Sequence, residues 1–279
     1  MTTMLKSISV EVPICIIGQS IAQYNYPVLC YLSEDNKLSL SFHQGIGRIK
    51  IWWSIPITAY LENKLSNILS PHLRGLGLDL HVEGKVLPPI DSLIAILHVV
   101  LREVGRERAL SPSHLRKLAI SEERARIVLE AMRVKGLIAY RRGEGLMELR
   151  RDFPWRACLC IKTFYRFRLA EFKSFEESFN VVLHALGRLI VVAARSIIDG
   201  DFELFRETLT RYSRLSLAVS NLPLTVLQVY EKLSRIEGVA CKIDEDFRGF
   251  MLFSEKEVSL NKCLSMASRM GFQVLSLRG

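Results

Sequence analysis

From Ser7 apolar and polar residues alternate, and toward Ile17 the chain becomes continuously apolar. That is the pattern of a half-buried strand running into a fully buried one. Pro27–Leu32, Lys37–Phe42 and Arg48–Trp53 read as further strands, set apart by turn signals at Glu34-Asp35-Asn36-Lys37 and Gln44-Gly45-Ile46-Gly47. A helix over Ile57–Leu69 and a strand over Leu78–Val82 follow. Asp91–Val104 is apolar almost all round, which predicts a helix in the middle of a domain. Shorter helices are expected at Pro112–Ala119 and Glu122–Lys135. Gly136 ends the second of them, and a hairpin with the tip Arg142-Gly143-Glu144-Gly145 comes next.

Arg151–Arg156, charged at its start and carrying Pro154, reads as a boundary. Beyond it come a strand (Ala157–Phe164), a long helix from Phe175 to Ile198, and a second helix from the stop-and-start signal Asp199-Gly200-Asp201 to Val219. Pro223 opens a third helix, and the chain closes as strand (Val239–Ile243), strand (Phe250–Phe253), helix (Lys256–Met270, capped by Gly271) and strand (Phe272–Leu277). This order predicts an α+β protein of two domains, residues 1–153 and 154–279, with mostly antiparallel sheets.

The junction Val86-Leu87-Pro88-Pro89-Ile90-Asp91-Ser92 feeds a strand straight into the apolar helix. Free N–H groups and the helix dipole make such a junction an anion site, normally with glycines so that backbone can approach the ligand. Here prolines and an aspartate stand in their place, and Asp91 reads as the helix N-cap.

Composition narrows the class. Over 279 residues, 49% hydrophobic, the chain can bury a sizeable core. Lys and Arg (38) exceed Asp and Glu (29) by 9, a balance compatible with polyanions but equally with a basic protein lacking any such partner. The six cysteines show neither a CxxC nor zinc spacing, and Cys158 and Cys160 fall on one side of a strand as small core residues. No signal peptide is evident, and the apolar helix is interrupted by His98 and ends at Arg102, too soon to span a bilayer. A reduced, cytoplasmic protein with no membrane partner is expected. GxSxG, HExxH, Walker A and Rossmann patterns are missing, and the six histidines are dispersed.

Three segments carry a resemblance. Val12-Pro13 through Gly18-Gln19-Ser20 to Tyr24 is a proline-containing strand leading to a glycine and a loop. Pro88-Pro89-Ile90-Asp91-Ser92 opens the central helix, and Lys242-Ile243-Asp244-Glu245-Asp246-Phe247-Arg248-Gly249-Phe250 is a turn between two C-terminal strands. With the order of elements, these resemble the GHMP small-molecule kinase superfamily, which includes galactokinase, homoserine kinase and mevalonate kinase. The resemblance spans nearly the whole chain. It implies an N-terminal domain like ribosomal protein S5 domain 2 and a ferredoxin-like C-terminal domain. It also implies phosphoryl or ribosyl-phosphate transfer on a small metabolite, with ATP and Mg²⁺ as cofactors if kinase chemistry is retained. On that resemblance Pro89, Asp91, Ser92, Lys242, Asp244 and Gly249 lie on the nucleotide side, and Gly18, Gln19 and Tyr24 on the substrate side. The departures fall in all three motifs. The acid and histidine after the first glycine are missing, the phosphate loop keeps only Ser92 in kind, and the last turn keeps only Gly249. The Glu122–Arg126 region offers no catalytic aspartate, so no catalytic residue and no metal ligand is assigned. A non-catalytic relative, binding a metabolite or a protein partner and compatible with a homodimer, is the other expectation from the same resemblance.

Residues 91–149 also fit a winged-helix DNA-binding regulator, with Glu122–Lys135 as the reading helix and Arg141–Gly145 as the tip of the wing. At about 100° per residue the reading helix shows Glu122, Glu123, Arg126, Glu130 and Arg133, a poor face for a polyanion. Arg124 falls in the apolar arc, where a long side chain would snorkel out. The stretch Lys162-Thr163-Phe164-Tyr165-Arg166-Phe167-Arg168 alternates cations and rings, as an exposed strand edge or an anion-binding segment would. Nucleic acid is the disfavoured partner.

Overall fold

The computed structural model describes residues 4–45, 47–53, 59–83, 89–105, 110–118, 120–161, 176–219, 224–244 and 249–276. The chain forms two compact units, one from residues 1–14 and 32–135, the other from 15–31 and 136–279.

The first unit is built on a sheet of β1 (Met4–Glu11), β4 (Lys37–Gln44), β6 (Leu76–Glu83) and β5 (Ile49–Trp53), in that order. β1–β4 and β4–β6 are antiparallel and β6–β5 is parallel. The alternation in the sequence sets the faces. Leu38, Leu40, Phe42, Leu78, Leu80 and Val82 are buried, with Leu40 opposite Leu80 and Leu38 opposite Val82. Trp52 points the other way, exposed, its ring stacked on His81. Among the described residues the unit also holds α1 (Ala59–Leu73), α2 (Pro89–Glu103), α3 (Pro112–Lys117) and α4 (Glu122–Ala131). Ser111 and Ser121 cap α3 and α4 by accepting from the N–H of His114 and Arg124. On α2, Leu93, Ile94, Ile96, Leu97, Val99, Val100 and Leu101 are at most 1% exposed, as expected for a helix apolar all round.

The second unit holds two sheets. β2 (Ile14–Ile17), β3 (Val28–Leu32), β7 (Gly136–Arg141) and β8 (Gly145–Arg150) form one, in the order β2-β3-β7-β8. The hairpin expected around Gly143 is therefore β7–β8, and it is part of this sheet rather than a wing carried by α3 and α4. The other sheet is antiparallel, in the order β10 (Ala240–Asp244), β11 (Gly249–Ser254), β9 (Arg156–Ile161), β12 (Gln273–Ser276). α7 (Leu224–Ser234) and α8 (Glu257–Arg269) bury Tyr230, Leu233, Leu260 and Cys263 against Cys158, Cys160, Cys241, Phe250 and Leu252.

α5 (Glu176–Asp199) and α6 (Phe202–Ala218) are joined as the sequence predicts: Gly200 adopts a left-handed φ of 73° and Asp201 caps α6 by accepting from Leu204 N–H at 2.9 Å. By length and composition the Phe179–Asp199 stretch could cross a membrane, but Leu183, Leu186, Ile190, Ala193 and Ile197 form a buried stripe at helical spacing. Trp155, Phe153, Phe205 and Phe253 pack as an aromatic group, with Trp155 and Phe205 ring centres 4.4 Å apart. The fold is α+β, as the order of elements predicts.

Candidate functional site

α2 begins at Pro89, a first-turn position where the missing N–H costs nothing. Asp91 is therefore the third residue of the helix and not its N-cap. Both Asp91 and Ser92 are fully buried. The side chain of Pro89, and residues 84–88 of the junction, lie outside what the structure describes.

The carboxylate of Asp91 is met by Arg124. Arg124 Nε donates to Asp91 Oδ1 at 2.8 Å, and Nη2 lies 2.5 Å from the same oxygen. The two side chains are 7% and 0% exposed. Arg124 is the third residue of α4, where its backbone N–H is taken by the Ser121 cap, and its side chain spans to the first turn of α2. This corrects the reading of Arg124 as a side chain that snorkels to water. A buried guanidinium needs a counter-ion, and Asp91 supplies it. The α2 helix dipole adds a favourable field for the carboxylate. The sequence holds a signal for this pair: an arginine inside the apolar arc of one helix and an acid in the first turn of another, apolar one.

Gly18, Gln19 and Tyr24 of the first motif belong to the second unit. Gly18, at φ 96°, opens a 3-10 helix over Gln19–Tyr24, and Asn25 closes it with φ 67°. A Cβ on Gly18 would stand 2.4 Å from the Pro27 carbonyl oxygen, so glycine is required there for conformation and for space. Gln19 is half-buried. Tyr24 is exposed, its ring 5.6 Å edge-on from that of Phe179. Tyr26 packs on Gly187 of α5, where a Cβ would come 2.2 Å from the ring. In the third motif, Lys242 is 4% exposed on β10 and pairs with Met251, while Asp244 pairs with Gly249 at the end of the ladder. The Asp244 side chain and residues 245–248 lie outside the described residues, as does the 162–168 basic-aromatic stretch. Among the described residues no group of three or more His, Cys, Asp or Glu side chains is arranged to hold a metal.

All six cysteines are buried, and none forms a disulfide. Burial raises the Cys158 and Cys241 thiols well above their ordinary range and Cys263 to about 12, with neighbouring cysteines adding to the effect. They are core residues, as the strand spacing of Cys158 and Cys160 predicts.

No family model and no curated protein matches the sequence. Solved structures do match the fold. L. major mevalonate kinase in complex with R-mevalonate aligns with a TM-score of 0.66 and 12% identity, over 95% of this chain and 91% of that one. Streptococcus pneumoniae phosphomevalonate kinase in complex with phosphomevalonate and AMPPNP aligns at 0.63 and 11%, over 98% and 100%. Mevalonate pyrophosphate decarboxylase from Streptococcus pyogenes aligns at 0.57 and 10%, over 99% and 96%. The chain shares its fold with these two kinases and the decarboxylase. Two of these matches are kinases and one is a decarboxylase, so the fold by itself leaves the reaction open.

Proposed function

We propose that this chain is a divergent relative of the GHMP kinases that does not use ATP at the start of α2, and that it acts as a non-catalytic binding protein for a small metabolite or a protein partner. The observation that carries this reading is the Asp91–Arg124 pair. In a phosphate-binding junction the helix N-terminus offers N–H groups to an anion. Here Pro89 brings no N–H and Asp91 brings a negative charge into the first turn. Carboxylate and guanidinium cancel each other's charge, so the pair presents an incoming phosphate with no net positive charge. Arg124 is already engaged by that carboxylate. These residues do not fit a nucleotide triphosphate with its Mg²⁺, and no transfer step is derived through them. On this reading Gly18, Gln19 and Tyr24, with Lys242, Asp244 and Gly249, are the remaining candidates for metabolite contact.

Thermal unfolding with Mg·ATP, Mg·ADP or phosphoribosyl pyrophosphate tests the reading. A ligand selective for the native state adds about 2.7 kcal/mol at a hundred times its Kd. No shift is expected with any of the three. Stabilisation by Mg·ATP would restore phosphoryl transfer as the function, and stabilisation by phosphoribosyl pyrophosphate alone would assign ribosyl-phosphate transfer.

A further inference from the structure

The first unit contains a cavity of about 990 Å³ bounded by β1, α2, α3 and α4, with Lys37 at its edge. Its volume suits a small organic ligand. The walls come in two kinds. Val99, Leu115 and Leu129 supply apolar surface, while Lys37, His98, Arg102 and Arg126 supply donors. His98 and Arg102 are one helical turn apart on α2, the helix otherwise buried on nearly every side, so its polar stripe opens onto this space. From α4 come Arg126 and, one turn on, Glu130, which is held by Arg133 at 3.0 Å. Glu11 also lines the cavity and lies 3.7 Å from Lys135, which leaves Glu122 as the remaining carboxylate. Among the described residues no ion pair within 4 Å engages Lys37 or Arg126, although Lys37 stands opposite Glu11 in the ladder and its charge helps lower the Glu34 pKa; Arg102 makes only a loose pair with Glu103 at 3.6 Å. Burial first, then Arg102 and Arg133, lowers the His98 pKa, so at neutral pH the imidazole is uncharged and can exchange a hydrogen bond with a ligand.

We propose that this cavity binds a small organic oxyanion, a phosphate or carboxylate on an apolar body. Arg126, Arg102 and Lys37 would grip the head, because a guanidinium presents paired donors to an oxyanion. The apolar wall would take the body. This site shares no residue with the start of α2 and does not depend on the fate of nucleotide binding there.

Isothermal titration of the full chain with four probes tests it: phenyl phosphate, phenylacetate, inorganic phosphate and benzyl alcohol. Saturable one-to-one binding of phenyl phosphate or phenylacetate is expected, at least tenfold tighter than inorganic phosphate or benzyl alcohol. Whichever of the two acids binds identifies the head group. Arg126→Glu, and separately Lys37→Glu, should each weaken binding at least tenfold while leaving the circular dichroism spectrum unchanged; both positions are exposed, so the fold tolerates them. Arg235→Glu, just after α7, should change nothing. Absence of binding by both acids, equal binding of benzyl alcohol, or binding unaffected by both charge reversals would overturn the proposal.

Discussion

If Asp91 and Arg124 form one buried ion pair, breaking it from either side should be strongly destabilising and the two losses should not add. The structure sets the scale. Both side chains are at least nine-tenths buried, and two guanidinium nitrogens converge on the single oxygen Oδ1 at 2.8 and 2.5 Å. Arg124→Met leaves a carboxylate in the interior, and Asp91→Ala leaves a guanidinium there. Removing one partner of such a pair costs about 3–5 kcal/mol, or roughly 6–20 °C in Tm for a chain of this size. Removing both charges leaves neither ion stranded, so the double variant should fall short of the summed losses by about 2–3 kcal/mol. The assay is urea unfolding followed by circular dichroism at pH 7. With two compact units, two transitions can occur, and the effect belongs to the transition of the unit that holds both residues. Losses below about 1 kcal/mol for either single variant, or strict additivity, would refute the pairing and the reading of the α2 terminus built on it.

Gly18→Ala should lower stability by at least ~1–3 kcal/mol, since φ 96° strains any side chain and the new Cβ meets backbone at 2.4 Å; a change in Tm under about 1 °C would show that the turn relaxes. Native protein should leave an aromatic disulfide reagent unreacted at pH 8, because the thiols are buried and Cys158, Cys241 and Cys263 resist ionisation, and six thiols should react after unfolding. A count of four would mean that Cys15 and Cys30, whose sulfurs lie 2.7 Å apart, are joined. His98 is held below its ordinary value of 6.5, so the unfolded chain takes up a proton that the folded chain refuses, and stability should fall as pH drops below about 6.5. His98→Asn should flatten that slope in urea midpoints measured between about pH 5.5 and 7, and an unchanged slope would remove His98 as its source.

Much of the fold is written in local pattern. The alternation around Leu38, Leu40 and Phe42 specifies a strand and which of its faces is buried. The all-round apolar run after Asp91 specifies a buried helix, and Asp199-Gly200-Asp201 specifies where two helices meet. Periodicity and cap chemistry act over a few residues, so they can be read before any tertiary contact is known. The site is less legible. Pro89 marks the helix start, but Asp91 reads as a cap because good capping residues and buried ion-pair acids have the same side chain. Arg124 reads as a snorkelling residue because helical periodicity reports the direction of a side chain and not what waits there.

The amino-acid order thus carries the α+β class, the strand faces, the core cysteines and the absence of glycine at the α2 junction. It cannot carry the partnership of Asp91 with Arg124, residues 33 apart in sequence and joined at 2.8 Å. Nor can it place the β7–β8 hairpin beside β3 or gather Lys37, His98, Arg102 and Arg126 around one cavity. Those are distances between segments remote along the chain, and they exist only once the helices and sheets have packed and excluded water from between them.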